Sequence, residues 1–494
     1  MPVCFGLTGY FSCLYCLSKG EYRLSHTVYP DIGTPRTDST FRADHYIADN
    51  FLKLKGKQYF RGISGTSAFS KLIGVKLPYS VPLDPMHNID LGVIQYFLEA
   101  WCGKSCFFDK MVLTEEQQEK LSNLLSELKV PDSFTRKPRT LGDLAHWKAD
   151  EYKNFALFLF PIMENFLRKA YFLHFKDFCI IYRILSKETI NVLELQTAEK
   201  MLAKFQKNTR VLYSERMFTI KLHSVCYHLL ESVKNFGPIS QFSAKRFEDI
   251  NGKLMRKNYG KYKIADQLMI KFAIPSVIHL LVDYFEIQKG SFLGIVLQKI
   301  GFEEFSTKFD KWVCFDEKIM YLPENSFLKA NNPHHDLIVN SLNVKDTKNV
   351  RMVKKLKFKG DDIKKFVTKK RDSTHVVLSR NQKSVVAKVR ELFEFQGKLY
   401  LICQEIRTFN DSFYVRMRPT TITNDFFICC SDILESPCVF LSGTNLPFWY
   451  FVRTQMKDTK TSDSSVFPVD FLAPKQKFTP RQIKAMADNG SYYK

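Results

Sequence analysis

Acidic residues, long uncharged runs and a patterned set of cysteines are all scarce in this 494-residue chain. Asp and Glu number 51 against 73 Lys and Arg, a net charge of +22. An excess of that size disfavours a basic partner. It suits nucleic acid or another anionic surface, with a solvated, Lys-rich exterior as the plainer alternative. The most apolar stretch, Phe155 to Leu185, is broken by Glu164, Arg168, Lys169, Lys176 and Asp177, so no run of about 20 uncharged residues is available to span a bilayer. The opening MPVCFGLTGYFSCLYCLSKGEY lacks the basic region and small-residue cleavage pattern of a signal peptide. Twelve Cys over such a length do not make a disulfide scaffold and read as reduced thiols, the close pairs being metal candidates. No internal repeat is visible. Apolar mass is plentiful: 45% of residues are apolar and 44 are Phe, a globular composition with deep burial and room for about two to four domains.

The patterning divides the chain into an α+β order. Residues 1–83 are punctuated by Gly and Pro and read as a loop-rich segment held by something other than a core. Residues 84–290 read as a helical body. Leu91, Ile94 and Leu98 sit at helical spacing, and Thr114 to Gln117 is a capping box opening a helix with Leu121, Leu124, Leu125 and Leu128 on one stripe. Thr140 to Asp143 is a second start signal. Residues 163–186 are apolar nearly all round, and Leu222 to Phe236 is a helix stopped by Gly237-Pro238. Further helices are expected over 243–259 and 264–288. Residues 291–355 are mixed. Residues 356–475 alternate apolar and polar with period two and are expected to form a small antiparallel barrel or sandwich, followed by a loose tail over 476–494. Within 345–395, 16 Lys and Arg face 6 Asp and Glu.

The sharpest chemical signal is Cys13-Leu-Tyr-Cys16. Two thiolates two residues apart reach one tetrahedral Zn²⁺ through the turn between them, but the pair is half a site. His26, His87, Cys102, Cys106 and the pair His223 and His228 are candidate partners. A spacing of five turns two side chains about 140° apart on a straight helix, which disfavours one shared metal unless the chain departs from helical geometry at His223. Asp84-Pro-Met-His87 stands where loop becomes helix, and its Asp is also an ordinary N-cap. Glu248 lies on a helix among Lys245, Arg246, Lys253, Arg256 and Lys257. There it is either a salt-bridged carboxylate or a Mg²⁺ ligand beside a phosphate backbone held by those cations.

In order, GYFSCLYCLSKGEY, TVYPDIGTPRTDSTFR, VPLDPMHNIDLGVIQYFLEAW, PDSFTRKPRTLGDLAHWKADEYKNFALFLFPIM and KLHSVCYHLLESVKNFGPISQFSAKRFEDINGKLMRK resemble the transposases of CACTA (En/Spm-like) DNA transposons, in the form found as transposase-domain proteins of animals. The resemblance covers roughly residues 5–275. It implies a ribonuclease-H-like nuclease whose three carboxylates bind two Mg²⁺ ions, with a helical insertion before the third. It further implies that Cys13, Cys16, His223 and His228 hold Zn²⁺, as in the related recombination-activating recombinase, and that Glu248 is the third carboxylate. For both His to share the metal, the helix is expected to start at or after His223. Asp84 and His87 match the family's D-x-x-H signature, with a supporting role in the active site.

The family's first two catalytic Asp precede the CxxC, and the twelve residues before Cys13 contain no Asp or Glu. One carboxylate does not position two Mg²⁺ ions, so Mg²⁺ is expected only with a complete active site. Three readings follow. The chain is a catalytically inactive, transposase-derived protein that binds DNA, a full-length transposase or itself. It is a truncated fragment or incomplete version of an active enzyme. Or it is a zinc-organised helical interaction protein without a nucleic-acid role. A DNA role and basic clusters such as KKLKFKGDDIKKFVTKKR imply a nuclear location.

Overall fold

The computed structural model describes residues 10–453, except 24–25, 56–59, 66, 73, 105–111, 257–263, 289, 300–311, 360, 368–370, 381–382, 410–413, 418–425 and 442–448. Its class is α+β: a mainly helical region followed by an antiparallel sheet.

The first segment carries a small hairpin, β1 (Glu21–Arg23) and β2 (His26–Val28), and then an 18-residue helix, α1 (Asp38–Lys55). That helix was not expected in a loop-rich stretch. Its few core residues, Phe41 and Ala48, close over Ile63 and Leu77 as a separate small cluster. A wide π-helical stretch, Met86–Ile94, runs on into α2 (Gln95–Trp101), with Leu91 out of helical geometry inside the π-helical stretch. The body continues with α3 (Glu115–Glu127), α4 (Ala149–Asn154), α5 (Lys169–Leu185), α6 (Val192–Tyr213) and α7 (Ile220–Phe236).

Capping chemistry fixes these boundaries. The Thr114 hydroxyl and Gln117 amide serve each other's backbone N–H groups at the start of α3. Asn191 and Glu194 do the same for α6, a capping box absent from the sequence reading. Gly237 at φ +80° ends α7. Thr140 opens a short 3₁₀ turn, Leu141–His146, and not a longer helix. Phe97, Trp101, Phe155, Phe175, Phe178 and Phe205 fill the centre of the body, all fully buried. Three further helices follow: α8 (Lys245–Arg256), α9 (Ile264–Tyr284) and α10 (Phe292–Lys299).

The sheet starts well before residue 356. Its first strands are β3 (Val313–Cys314) and β4 (Ile319–Phe327), separated by helix α11 (His335–Leu342) from β5 (Val350–Phe358), so a boundary at 355 falls inside a strand. It continues through β6 (Asp361–Lys364), β7 (His375–Arg380), β8 (Lys383–Phe395), β9 (Lys398–Phe409), β10 (Tyr414–Met417), β11 (Phe426–Cys430), β12 (Leu434–Leu441) and β13 (Trp449–Arg453). The eleven strands form one branched sheet in which β8 pairs with β5, β7 and β9. The expected tail over 476–494 lies outside the described residues.

Sheet and body share a core. Val439, Leu441, Tyr450 and Val452 bury themselves among the body's apolar side chains. A polar latch adds to this. Arg371 Nη1 donates to the carbonyls of Pro131 and Phe134, both at 2.8 Å, and the Ser373 hydroxyl donates to Asp132 at 2.8 Å. Among the described residues, no helix is long and apolar enough to cross a membrane.

Candidate metal centre

Cys13 and Cys16 lie on an irregular strip whose shape is set by a second strip across from it. Leu17 N–H donates to Thr34 O at 2.8 Å, Arg36 N–H donates to Tyr15 O at 2.9 Å, and Cys16 and Pro35 form an isolated antiparallel bridge. The pair of strips then docks on the start of α7. Tyr29 N–H donates to Phe218 O at 2.7 Å, and the Tyr227 hydroxyl donates to Pro30 O at 2.7 Å. These contacts bring the CxxC to two histidines more than 200 positions away.

Four donor atoms meet there. Cys13 Sγ is 3.3 Å from His228 Nε2, Cys16 Sγ is 3.4 Å from His223 Nε2, and the two Nε2 atoms are 3.4 Å apart. All four lie within 4.8 Å of one another and all four residues are buried. Tetrahedral zinc, with bonds of about 2.3 Å to sulfur and about 2.0–2.1 Å to nitrogen, sets its donors roughly 3.4–3.8 Å apart. The three short separations match that ion, small side-chain adjustments bring the remaining ones into range, and Cys₂His₂ is a closed, structural donor set with no coordination position left for a substrate.

The surroundings favour the liganding states. His223 Nδ1 lies 3.0 Å from Tyr29 O, so its proton is held there and its Nε2 lone pair faces the sulfurs. Backbone amides of Tyr15 and Cys16 donate to Cys13 Sγ, and that of Gly33 donates to Cys16 Sγ. Burial pushes the Cys13 thiol far up. The Cys16 thiol is driven well down, chiefly by the hydrogen bond from Cys13. Two buried thiols thus contend over a proton that a cation would displace.

The helix does not begin at or after His223. It begins at Ile220 behind the cap Thr219, and His223 N–H already donates to Thr219 O at 2.9 Å. The angular penalty of a five-residue spacing is met by side-chain reach. The rings lean across the groove between them, centroids 5.3 Å apart, until their Nε2 atoms converge.

Arg36, fully buried, is the residue the sequence reading missed. Its Nε donates to Cys13 O at 3.2 Å and Cys16 O at 3.4 Å, clamping both ends of the CxxC turn, while Nη2 donates to Arg61 O at 2.7 Å. Its charge faces Asp44, Nη1 to Oδ2 3.4 Å, which Arg61 also approaches at 3.6 Å. Replacing Arg36 by Met keeps the volume and leaves Asp44 with Arg61, so the effect is read at the ligands. Zinc affinity is expected to fall about 10–100-fold in chelator competition, with helical content unchanged.

The other metal candidates lie elsewhere. His26 Nε2 is 3.1 Å from Arg216 O. Cys102 is a buried thiol pushed up to about 11 by that burial. His87 belongs to a different cluster, and Cys106 lies outside the described residues.

That second cluster joins Asp84, His87 and Glu248. Asp84 Oδ2 is 2.5 Å from His87 Nδ1, and His87 Nε2 is 3.4 Å from Glu248 Oε1. Asp84 is also an N-cap twice over. It accepts from Met86 N at 3.3 Å and His87 N at 3.0 Å at the start of the π-helical stretch, and from Ala244 N at 2.7 Å where α8 begins. The N-cap reading of Asp84 is thus met at the start of the π-helical stretch. Asp84→Ala removes both caps, costing about 1 kcal/mol each, and amide exchange over 244–248 should accelerate about tenfold or more. Unchanged exchange there would mean α8 is held by other contacts.

The basic residues around Glu248 divide. Lys245 pairs with Asp150, Arg246 is exposed, and the side chains of Lys253, Arg256 and Lys257 lie outside the described residues. Asp90, buried in the π-helical stretch, accepts from the Tyr182 hydroxyl at 2.6 Å, and burial pushes its carboxyl up to about 7. Among the described residues, no three His, Cys, Asp or Glu donors other than the Cys₂His₂ group converge on one point. No family model matches the chain, and no curated protein or solved structure matches it either.

Proposed function

We propose that this chain is a transposase-derived, zinc-tethered protein that binds DNA and, by itself, does not cut it. The observation that carries the reading is the convergence of Cys13, Cys16, His223 and His228, the four residues that the CACTA resemblance names as zinc ligands. The contact of Asp84, His87 and Glu248 adds to it, since the same resemblance puts a D-x-x-H beside the third carboxylate. Glu248 belongs to no group of three or more metal donors converging on one point among the described residues, and a lone carboxylate does not hold two Mg²⁺ ions for in-line displacement. DNA binding then rests on phosphate contacts from Arg246 and the net charge of +22, and carries a nuclear location with it.

The test is duplex DNA binding by fluorescence anisotropy over a salt series, with Mg²⁺-dependent nicking followed in parallel. Expected are affinity at low salt, a steep linear fall of log affinity with log salt, and no nicking. Absence of affinity at low salt overturns the DNA role. Nicking lost in Glu248→Gln overturns the inactivity, and supports reading the chain as part of a working enzyme.

A zinc-organised interaction protein is the second reading, and charge placement favours it. In the basic 345–395 stretch, Lys355 pairs with Asp362, Lys364 with Asp132, and Lys365 with both Glu324 and Glu391. Those cations are partly spent within the fold, so they offer a phosphate backbone less than their number suggests.

A further inference from the structure

α8 is strongly amphipathic, and it docks on the body by its polar side. Lys245 meets Asp150, Glu248 meets His87, and the amide of Ala244 meets Asp84, while Phe247 and Ile250 stand exposed on the far side. Amphipathic helices ordinarily do the reverse. α9, apolar overall, adds exposed apolar side chains of its own. Between Ile264 and Phe285 its charged residues are Asp266, Lys271 and Asp283. Val277, Leu280, Leu281 and Tyr284, spaced i, i+3, i+4 and i+7, form an exposed apolar stripe. On α10, Phe292 is 80% exposed. Of the 30 exposed large apolar side chains among the described residues, 14 fall between 247 and 296, a tenth of the chain.

We propose that the outer face of α8, α9 and α10 is where a second copy of this chain docks. Three arguments select that occupant. The first is size. At roughly 100 Å² for each exposed side chain, the face offers on the order of 1,000 Å² or more, above the few hundred a monomer ordinarily shows and matching the ~800 Å² each partner gives to a stable interface. The second is shape. A stripe at helical spacing packs against another such stripe, and a two-fold axis brings the α9 stripe against its own copy, antiparallel. The third is charge. Two copies of a +22 chain repel each other over most of their surfaces, and the α9 stripe, whose 272–282 stretch holds no Asp, Glu, Lys or Arg, lets them meet without setting Lys against Lys. The inference stands apart from the zinc and DNA readings.

The experiment is sedimentation velocity with multi-angle light scattering on the full zinc-loaded chain over a wide dilution series. It is run beside Leu280→Glu and Tyr284→Glu, two side chains exposed in the single chain and so tolerant of a charge. The expected result is a wild-type species of twice the monomer mass, with each variant weakening self-association about 30-fold or more and keeping its zinc and circular dichroism. A wild-type monomer overturns the proposal. So does a dimer that both variants leave intact, since its interface then lies elsewhere. Aggregates of no fixed mass overturn it in favour of a different polypeptide covering the face. Variants that lose zinc or helical signal overturn it by making the face part of the chain's own core.

Discussion

The wild-type chain is expected to carry one zinc ion, and Cys13→Ser and His228→Ala are each expected to lose it. The two ligands sit on opposite sides of the junction, one on the N-terminal strip and one on α7, so loss in both variants reports one shared ion. Structural zinc in a Cys₂His₂ set is worth about 10–16 kcal/mol of apparent binding free energy in small domains, comparable with the whole stability of an ordinary fold. Global unfolding is nevertheless not the expected outcome. The helical body has its own large aromatic core, whereas the strip from residue 10 to Arg36 contributes little to it beyond contacts near the site. Loss of zinc should therefore free that strip first. Limited proteolysis should cut within it while most helical signal survives, and chelation of the wild type should do the same. Zinc binding releases protons from the thiols, so retention should weaken as pH falls. Zinc absent from the wild type, or retained in His228→Ala, would remove the basis for the tether.

The helical body was readable because its signals are local. The capping box at Thr114, the leucine stripe after it and the Gly237-Pro238 stop each act within one or two turns, and each lies where the pattern put it. Period-two alternation likewise marked β7, β8 and β9. The sheet's early strands escaped because β4 carries Pro323 and Glu324 in an irregular register with β5, which hides the alternation. α1 escaped because its buried face is half polar, Asp44 and His45 lying beside Phe41 and Ala48, so no apolar stripe marks it. The donor set shows the opposite kind of difficulty. The CxxC is a local motif, but which residues complete it depends on a fold bridging more than 200 positions, and helix arithmetic alone argued against His223 with His228. That arithmetic treats side chains as radial spokes, whereas two imidazoles have length enough to bend toward a common point. Arg36 had no sequence signal at all. A single arginine in TPR gives no hint that it will be fully buried against two carbonyls.

Gly33→Ala is expected to weaken both the fold and the zinc site, although Gly33 binds nothing through a side chain. A Cβ at that position would lie 2.1 Å from Ser18 N and 2.3 Å from the carbonyl carbon of Leu17, both backbone atoms directly after Cys16. Backbone has no rotamer by which to yield, so the two strips must part, and overpacking of this kind costs about 3 kcal/mol. The same movement withdraws the Gly33 amide from Cys16 Sγ and disturbs the turn that Arg36 clamps. The substitution should therefore lower both thermal stability and zinc content, which separates it from a plain packing defect. Gly252→Ala is the internal control. That glycine lies inside α8 with nothing within 4 Å of an added Cβ, so alanine there should stabilise the helix by about 1 kcal/mol and leave zinc untouched. If Gly33→Ala keeps full zinc at wild-type stability, the CxxC strip is not held by the 33–36 strip. The tether would then have to be organised from α7 alone.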